Sequence, residues 1–210
     1  MKIIYAYDAL CGWCYGFSSV MEAFYQKHQK RVDFEVLSGG MVTGERIGPI
    51  GKVAPYIQRA YRDVEKSTEV KFGKAFLEDI LEEGTTVFNS MPLAIALSVF
   101  KSYRANEAVL FASALQKAIY YDGTAPEDTK AYGLLAEAFG IDGERFTQQM
   151  KEDAFLAQTQ QEFQRTQQLG VQGFPTVFAE VKNTHHPLTR GYTPLNELEN
   201  RFTALSQHIQ

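Results

Sequence analysis

Cys11-Gly12-Trp13-Cys14 contains both cysteines of a 210-residue chain. Two thiols with two residues between them can exchange with a disulfide, ligate a metal, or pack as small apolar groups. A tetrahedral zinc site needs four ligands. With no third cysteine, the remainder would have to come from scattered histidines, and the adjacent pair His185-His186 lacks the separated spacing of metal ligands. Those two histidines read as a polar loop between strands, and no metal is expected. Buried structural thiols would leave the close spacing and the helix start after it as coincidences. Disulfide exchange is the expected chemistry.

The flanking residues say how the pair is held. Ile3-Ile4-Tyr5-Ala6-Tyr7 is rich in β-branched and aromatic side chains, and Phe17, Val20, Met21, Phe24 and Tyr25 recur at helical spacing over about residues 14–28. The motif therefore falls at a strand-to-helix turn. Cysteines three apart on a first helical turn lie side by side and can close a disulfide with little backbone movement. Cys11 is nearest the unpaired N–H groups of the helix N-terminus, which favour the thiolate that attacks disulfides. Cys11 is thus the expected nucleophile and Cys14 the resolving thiol. A helix terminus contributes roughly 0.3 to 1 kcal/mol, ~2 when partly buried, or at most about one and a half pKa units. Gly12 and Trp13 add no positive charge, so a mildly activated thiol is expected. Trp13, next to the nucleophile, reads as a substrate contact, and Tyr15 and Phe17 read as core.

Further along, Val32, Phe34 and Val36 alternate with Asp33 and Glu35 as a second strand with one buried face, ending at Ser38-Gly39-Gly40. Residues 1–40 form a β-α-β unit whose strands should be parallel. From about residue 48 to 169 strand patterns disappear and a helical block is predicted. Asn89-Ser90 before Pro92 opens one helix, and Val109, Ala112, Leu115, Ala118 and Ile119 mark an inward stripe. Leu134, Leu135, Ala138 and Phe139 mark another, stopped by Gly140. The Gln-rich stretch 158–168 has an apolar edge of Phe155, Phe163 and Leu169 and predicts a half-solvated helix ended by Gly170. Strand character returns at Thr176-Val177-Phe178-Ala179 and around Leu188-Thr189-Arg190. Thr193-Pro194 then opens a last helix with Leu195, Leu198, Phe202, Leu205 and Ile209 on one face. Pro175, just where a strand begins, is an ordinary place for a residue that cannot donate to a ladder.

Composition narrows the function classes. A hydrophobic content of 45% supports a sizeable core. The formal net charge of −4, with lysine and arginine spread along the chain, makes nucleic acid an unexpected partner. The N-terminal apolar run is interrupted by Asp8 and has no small-residue cleavage site, so it reads as a strand and not a signal peptide. Met91 to Phe100 is too short to span a membrane. A soluble, cytoplasmic protein is expected, where paired thiols are usually catalytic.

Taken together, Cys11-Gly12-Trp13-Cys14-Tyr15-Gly16-Phe17, the long helical insertion and Gly170-Val171-Gln172-Gly173-Phe174-Pro175-Thr176 resemble the DsbA family of thioredoxin-fold oxidoreductases over the whole chain. The likeness is greatest to its signal-less, FrnE-like members, predicted protein-disulfide isomerases. The resemblance implies an α/β thioredoxin-like fold (β-α-β … β-β-α) with a large all-helical insertion. Residues 1–47 and 170–210 would form the thioredoxin-like parts and residues 48–169 the insertion. It implies a cis Pro175 against the cysteine pair, with the backbone of Phe174 pairing with a substrate strand. Two departures stand out. Better-known members have a buried acidic proton acceptor six positions before the first cysteine, where this chain has Tyr5. Either water or Asp8 takes the proton instead, or the resolving step is slow; Asp8 reads first as a turn residue capping the following helix. Gly12-Trp13 also replaces a pair containing histidine, which points to a lower redox potential.

The expected activity is that of a protein thiol-disulfide oxidoreductase or isomerase acting on disulfide-containing or thiol proteins and peptides. No bound cofactor is expected; glutathione is a candidate co-substrate, and glutathione or a thioredoxin-type protein the reductant. One alternative is a glutathione-dependent transferase or isomerase of the kappa and 2-hydroxychromene-2-carboxylate type, whose members typically have serine where Cys11 stands. Another is a redox-switched peptide-binding chaperone.

Overall fold

The structure, a computed structural model, describes residues 1–209 except for the side chain of Ile209; the apolar position predicted there lies outside the described residues. In chain order the elements are β1 (Lys2–Tyr7), α1 (Gly12–His28), β2 (Asp33–Ser38), β3 (Gly48–Pro49), α2 (Ala54–Ser67), a π-helical segment (Ala75–Glu82), β4 (Val87–Phe88), α3 (Ser90–Arg104) and α4 (Ala108–Tyr120). They continue with α5 (Thr129–Glu137), α6 (Gly143–Gln149), α7 (Asp153–Gln168), β5 (Thr176–Val181), β6 (Thr184–Arg190) and α8 (Leu195–Ile209).

The main sheet has the order β2-β1-β5-β6. β1 runs parallel to β2 and antiparallel to β5, with Tyr5 opposite both Val36 and Val177. This is the expected β-α-β … β-β-α frame. The central strand β1 is covered on both sides, which is why it reads as a continuous apolar run. Ile3, Tyr5 and Tyr7 enter the large core with α1, whereas Ile4 joins Leu37 and Phe178 in a small cluster closed by Leu169 and Val171. Full burial of each aliphatic side chain on β1 stabilises the sheet by about 1.5–3 kcal/mol. In the helical block, Phe100 and Phe111 stack with ring centroids 4.1 Å apart, and Phe139 meets both edge-on.

Helix boundaries follow the local chemistry. The Asn89 side chain accepts from the backbone N–H of Met91 and caps α3, and Gly140 takes φ +73° after α5, as its position implied. Four expectations need correction. First, Gly48–Pro49 pairs antiparallel with Val87–Phe88 inside the helical block; a two-residue ladder has no periodicity to read. Second, Leu134 is 67% exposed and Ala138 is exposed, while Tyr132, Gly133 and Ala136 are the buried positions of α5. Third, His185 and His186 lie on β6 and not in a loop. The turn is Lys182-Asn183, both with positive φ, and His185 faces Glu180 across the hairpin at 3.4 Å. Fourth, the second half of β2 is buried on both faces, by Val36 on one and Leu37 on the other.

Helix α7 is half-solvated as expected, but its deepest residues are polar: Thr159, Glu162 and Thr166. Glu162 pairs with Lys101 of α3 and accepts from the backbone N–H of Ser38, and Lys101 donates to the Val36 carbonyl at 3.0 Å. Thr166 donates to the Ser38 carbonyl at 3.2 Å, and Arg165 pairs with Glu35. These contacts seat α7 on the end of β2, so that the chain leaving α7 reaches the cysteine motif.

Candidate active site

Cys11 is the N-cap residue of α1, with extended backbone (φ −95°, ψ 110°) and no side chain capping the helix. Its N–H donates to the Asp8 carbonyl, and its own carbonyl accepts the first helical bond from Tyr15, both at 3.1 Å. Both cysteines are free thiols; Cys11 is 7% exposed and Cys14 0%. The side chain of Cys11 thus sits at the open end of the helix, while Cys14 is one turn inside it.

This asymmetry separates the two sulfurs electrostatically. A hydrogen bond from the Cys14 thiol to the Cys11 thiolate, assisted by the N–H groups of Cys14 and Trp13, holds Cys11 below the ordinary thiol pKa against the opposing effects of burial and of Asp8. Burial first, and then the neighbouring Cys11, pushes Cys14 well up.

The segment after α7 forms the opposite wall. The peptide bond between Phe174 and Pro175 is cis, and the Cys11 thiol donates to the Phe174 carbonyl at 3.5 Å. The Phe174 ring rests on Gly39, where an added Cβ would lie 2.0 Å from its Cζ. The loop after β2 is therefore part of the site, a role not legible from Ser38-Gly39-Gly40 as a strand end.

Trp13 is half-buried, with its ring 6.4 Å from that of Tyr192. Tyr15 and Phe17 are core, and the Tyr15 hydroxyl donates to the Lys71 carbonyl at 2.8 Å. Tyr5 occupies the position where an acidic group was expected. Its hydroxyl is buried without a hydrogen-bond partner among the described residues, and burial followed by Cys14 raises its pKa well above the ordinary value. Asp8 does not cap α1. Its carboxylate instead accepts from Leu10 N, Ser90 Oγ and Met41 N.

Beside Cys11 opens a cavity of about 510 Å³. Its apolar lining includes Trp13, Ile50, Val64, Phe72 and Tyr120, and its charged lining is Glu45, Arg46 and Lys52. Most of this wall comes from residues 41–64, to which no role is assigned from sequence. Val42 in its loop and Pro49 in its two-residue strand carry no periodic signal.

The DSBA-like thioredoxin domain matches residues 2–202. The chain belongs to that family. No curated protein matches its sequence. Among solved structures, a candidate protein disulfide isomerase from Nitrosomonas europaea is similar, with a TM-score of 0.87 and 25% identity over 99% of each chain. The cytosolic disulfide reductase DsbM from Pseudomonas aeruginosa has a TM-score of 0.81 and 24% identity, covering 99% of this chain and 100% of its own. DsbM is also known with GSH, in a structure with a TM-score of 0.80 and 23% identity over 100% of each chain. A 2-hydroxychromene-2-carboxylate isomerase shares the fold at a TM-score of 0.65 and 13% identity, over 100% of this chain and 96% of its own. Family and fold thus agree with the thioredoxin-like frame and its helical insertion. Among the described residues, no helix is long and apolar enough to cross a membrane.

Proposed function

We propose that the protein is a thiol-disulfide oxidoreductase in which Cys11 attacks and Cys14 resolves. The observation that carries this reading is Cys11 at the open N-terminus of α1, bonded to the Phe174 carbonyl and bordering a 510 Å³ cavity. The Cys11 thiolate attacks one sulfur of a substrate disulfide. A Cys11–substrate disulfide forms, and the other substrate sulfur leaves as a thiolate and takes a proton. Cys14, after giving up its proton, attacks the Cys11 sulfur and expels the second substrate thiol. Two electrons pass to the substrate, and the pair is left as a disulfide. Two glutathione molecules can restore the dithiol and leave as glutathione disulfide.

Phe174 offers its backbone beside the sulfur for an extended peptide, Pro175 backs it, and Trp13 contacts the incoming chain. Glutathione is the co-substrate to test first. The cavity is open to Cys11, Arg46 and Lys52 can meet its carboxylates, and the DsbM neighbour is known with GSH. A cytosolic reductase or isomerase suits uncharged Gly12-Trp13 between the thiols, which gives no cationic stabilisation of the reduced form.

The decisive experiment is disulfide reduction with glutathione as the electron source, in wild type and in Cys11→Ser and Cys14→Ser. Cys11→Ser should abolish turnover, and Cys14→Ser should accumulate a mixed disulfide on Cys11 visible by mass. Full activity in Cys11→Ser would refute the assignment.

A further inference from the structure

Asp8 is 2% exposed and lies three residues before Cys11. Its Oδ1 accepts from Leu10 N and from Ser90 Oγ, each at 2.9 Å, and its Oδ2 accepts from Met41 N at 2.7 Å. Ser90 Oγ in turn accepts from Val42 N at 3.0 Å, which commits the hydroxyl proton to Asp8. The Asp8 carbonyl takes the N–H of Cys11 at 3.1 Å and the side-chain amide of Gln116 at 3.4 Å. One residue therefore ties together the turn carrying Cys11, the Met41-Val42 wall of the cavity and the start of α3. Among the described residues, no lysine, arginine or histidine forms an ion pair with it.

A buried carboxylate without a cation is costly, and a neutral side chain would hold a turn at lower cost. The backbone N–H groups of Leu10 and Met41 can only donate, and the Ser90 hydroxyl, which accepts from Val42 N, points its proton at Oδ1, an arrangement that serves the ionised carboxylate.

Resting on the oxidoreductase reading above, we propose that Asp8 is a positioning residue of the disulfide centre. It is a buried, ionised carboxylate that locks the Cys11 turn to the cavity wall, and its field opposes thiolate formation at both cysteines and holds the pair toward the reducing end of its range. The groups that feel this charge are Cys11 and Cys14 from α1, Tyr7 from β1 and Tyr120 from α4, and in each the Asp8 charge acts to raise the pKa. Burial pushes the Asp8 carboxyl itself up, and the donors from Met41, Leu10 and Ser90 draw it back.

The test compares wild type with Asp8→Asn. The Cys11 thiolate is titrated by its ultraviolet absorbance, and the dithiol-disulfide equilibrium is measured in a glutathione buffer at pH 8. Asp8→Asn should lower the Cys11 thiol pKa by about one unit. It should also shift the equilibrium severalfold toward the dithiol, making the pair a weaker reductant. A folded Asp8→Asn protein with an unmoved titration and equilibrium overturns the proposal. Because the titration reads the field whether or not the pair turns over, an inactive wild type would refute the proposed function without touching this result. If Asp8→Asn does not fold, wild type carrying 13C-labelled aspartate carboxyls decides. Asp8 should remain ionised at pH 7 in both the disulfide and dithiol forms, and a proton taken up by Asp8 on reduction would overturn the assignment.

Discussion

Gly39→Ala should damage the site through the Phe174 ring. An added Cβ would lie 2.0 Å from Cζ, 2.3 Å from Cε1 and 2.8 Å from Cε2 of that ring. Carbon atoms rest at about 3.5–4.0 Å, so the ring must retreat by about 1.5 Å. It cannot do so freely, because the same residue gives its carbonyl to Cys11 and precedes the buried Pro175. Overpacking of this kind costs about 1–3 kcal/mol. With a urea slope of about 2 kcal/mol/M, the unfolding midpoint should fall by about 1 M. The kinetic effect should be larger. A displacement of about 1 Å at a reacting centre can cost on the order of 100-fold in rate, so disulfide exchange should slow by at least tenfold while the thiolate titration of Cys11 barely moves. The assays are urea unfolding followed by circular dichroism, and stopped-flow reduction of a disulfide peptide. A double-mutant cycle isolates the cause: in a Phe174→Ala background, Gly39→Ala should be nearly neutral, because nothing is left to displace. Equal costs in both backgrounds, or wild-type exchange rates in Gly39→Ala, would refute the reasoning.

Removing one partner of the buried Lys101–Glu162 pair should be strongly destabilising; Glu162→Ala is expected to lose about 3–5 kcal/mol in chemical unfolding, because it leaves the Lys101 ammonium and Ser38 N–H without their acceptor. Stability should decline at alkaline pH. Cys14, Tyr5, Tyr7 and Tyr120 all have folded-state pKa values raised by burial, so their contribution is complete below the unfolded values and is lost above about pH 8.5 for the thiol and about pH 10 for the phenols. Thermal unfolding from pH 7 to 11 checks this, and a flat profile contradicts it. The exchange rate should climb with pH and level off below the ordinary thiol value, since Cys11 is shifted down; a plateau only above about pH 9 would contradict that shift.

Residues whose neighbours are close in sequence carried their structure openly. The apolar run of β1, the start of α3 at Asn89-Ser90, the stops at Gly140 and Gly170, and the placement of Cys11 at a helix start all follow from patterns a few residues long. The misreadings came where the partner is remote. Leu134 and Ala138 fit a helical stripe, yet Tyr132 and Ala136 win the buried face because α3 and α6 pack there. His185-His186 looked like a polar loop because only the positive φ of Lys182 and Asn183 shows that the turn has already been made.

The cysteine pair, the order of elements around it and the absence of positive charge between its thiols were determined by the sequence alone, because spacing and local propensity act within one or two turns. The tertiary structure decided what surrounds the sulfurs. It brought Phe174 from 163 residues away onto Cys11 and Gly39, built the cavity wall from residues 41–64, and buried Asp8 among three donors from three segments. Burial and the hydrogen bond between the two thiols set their pKa order, and the depth of burial has no signature in neighbouring residues.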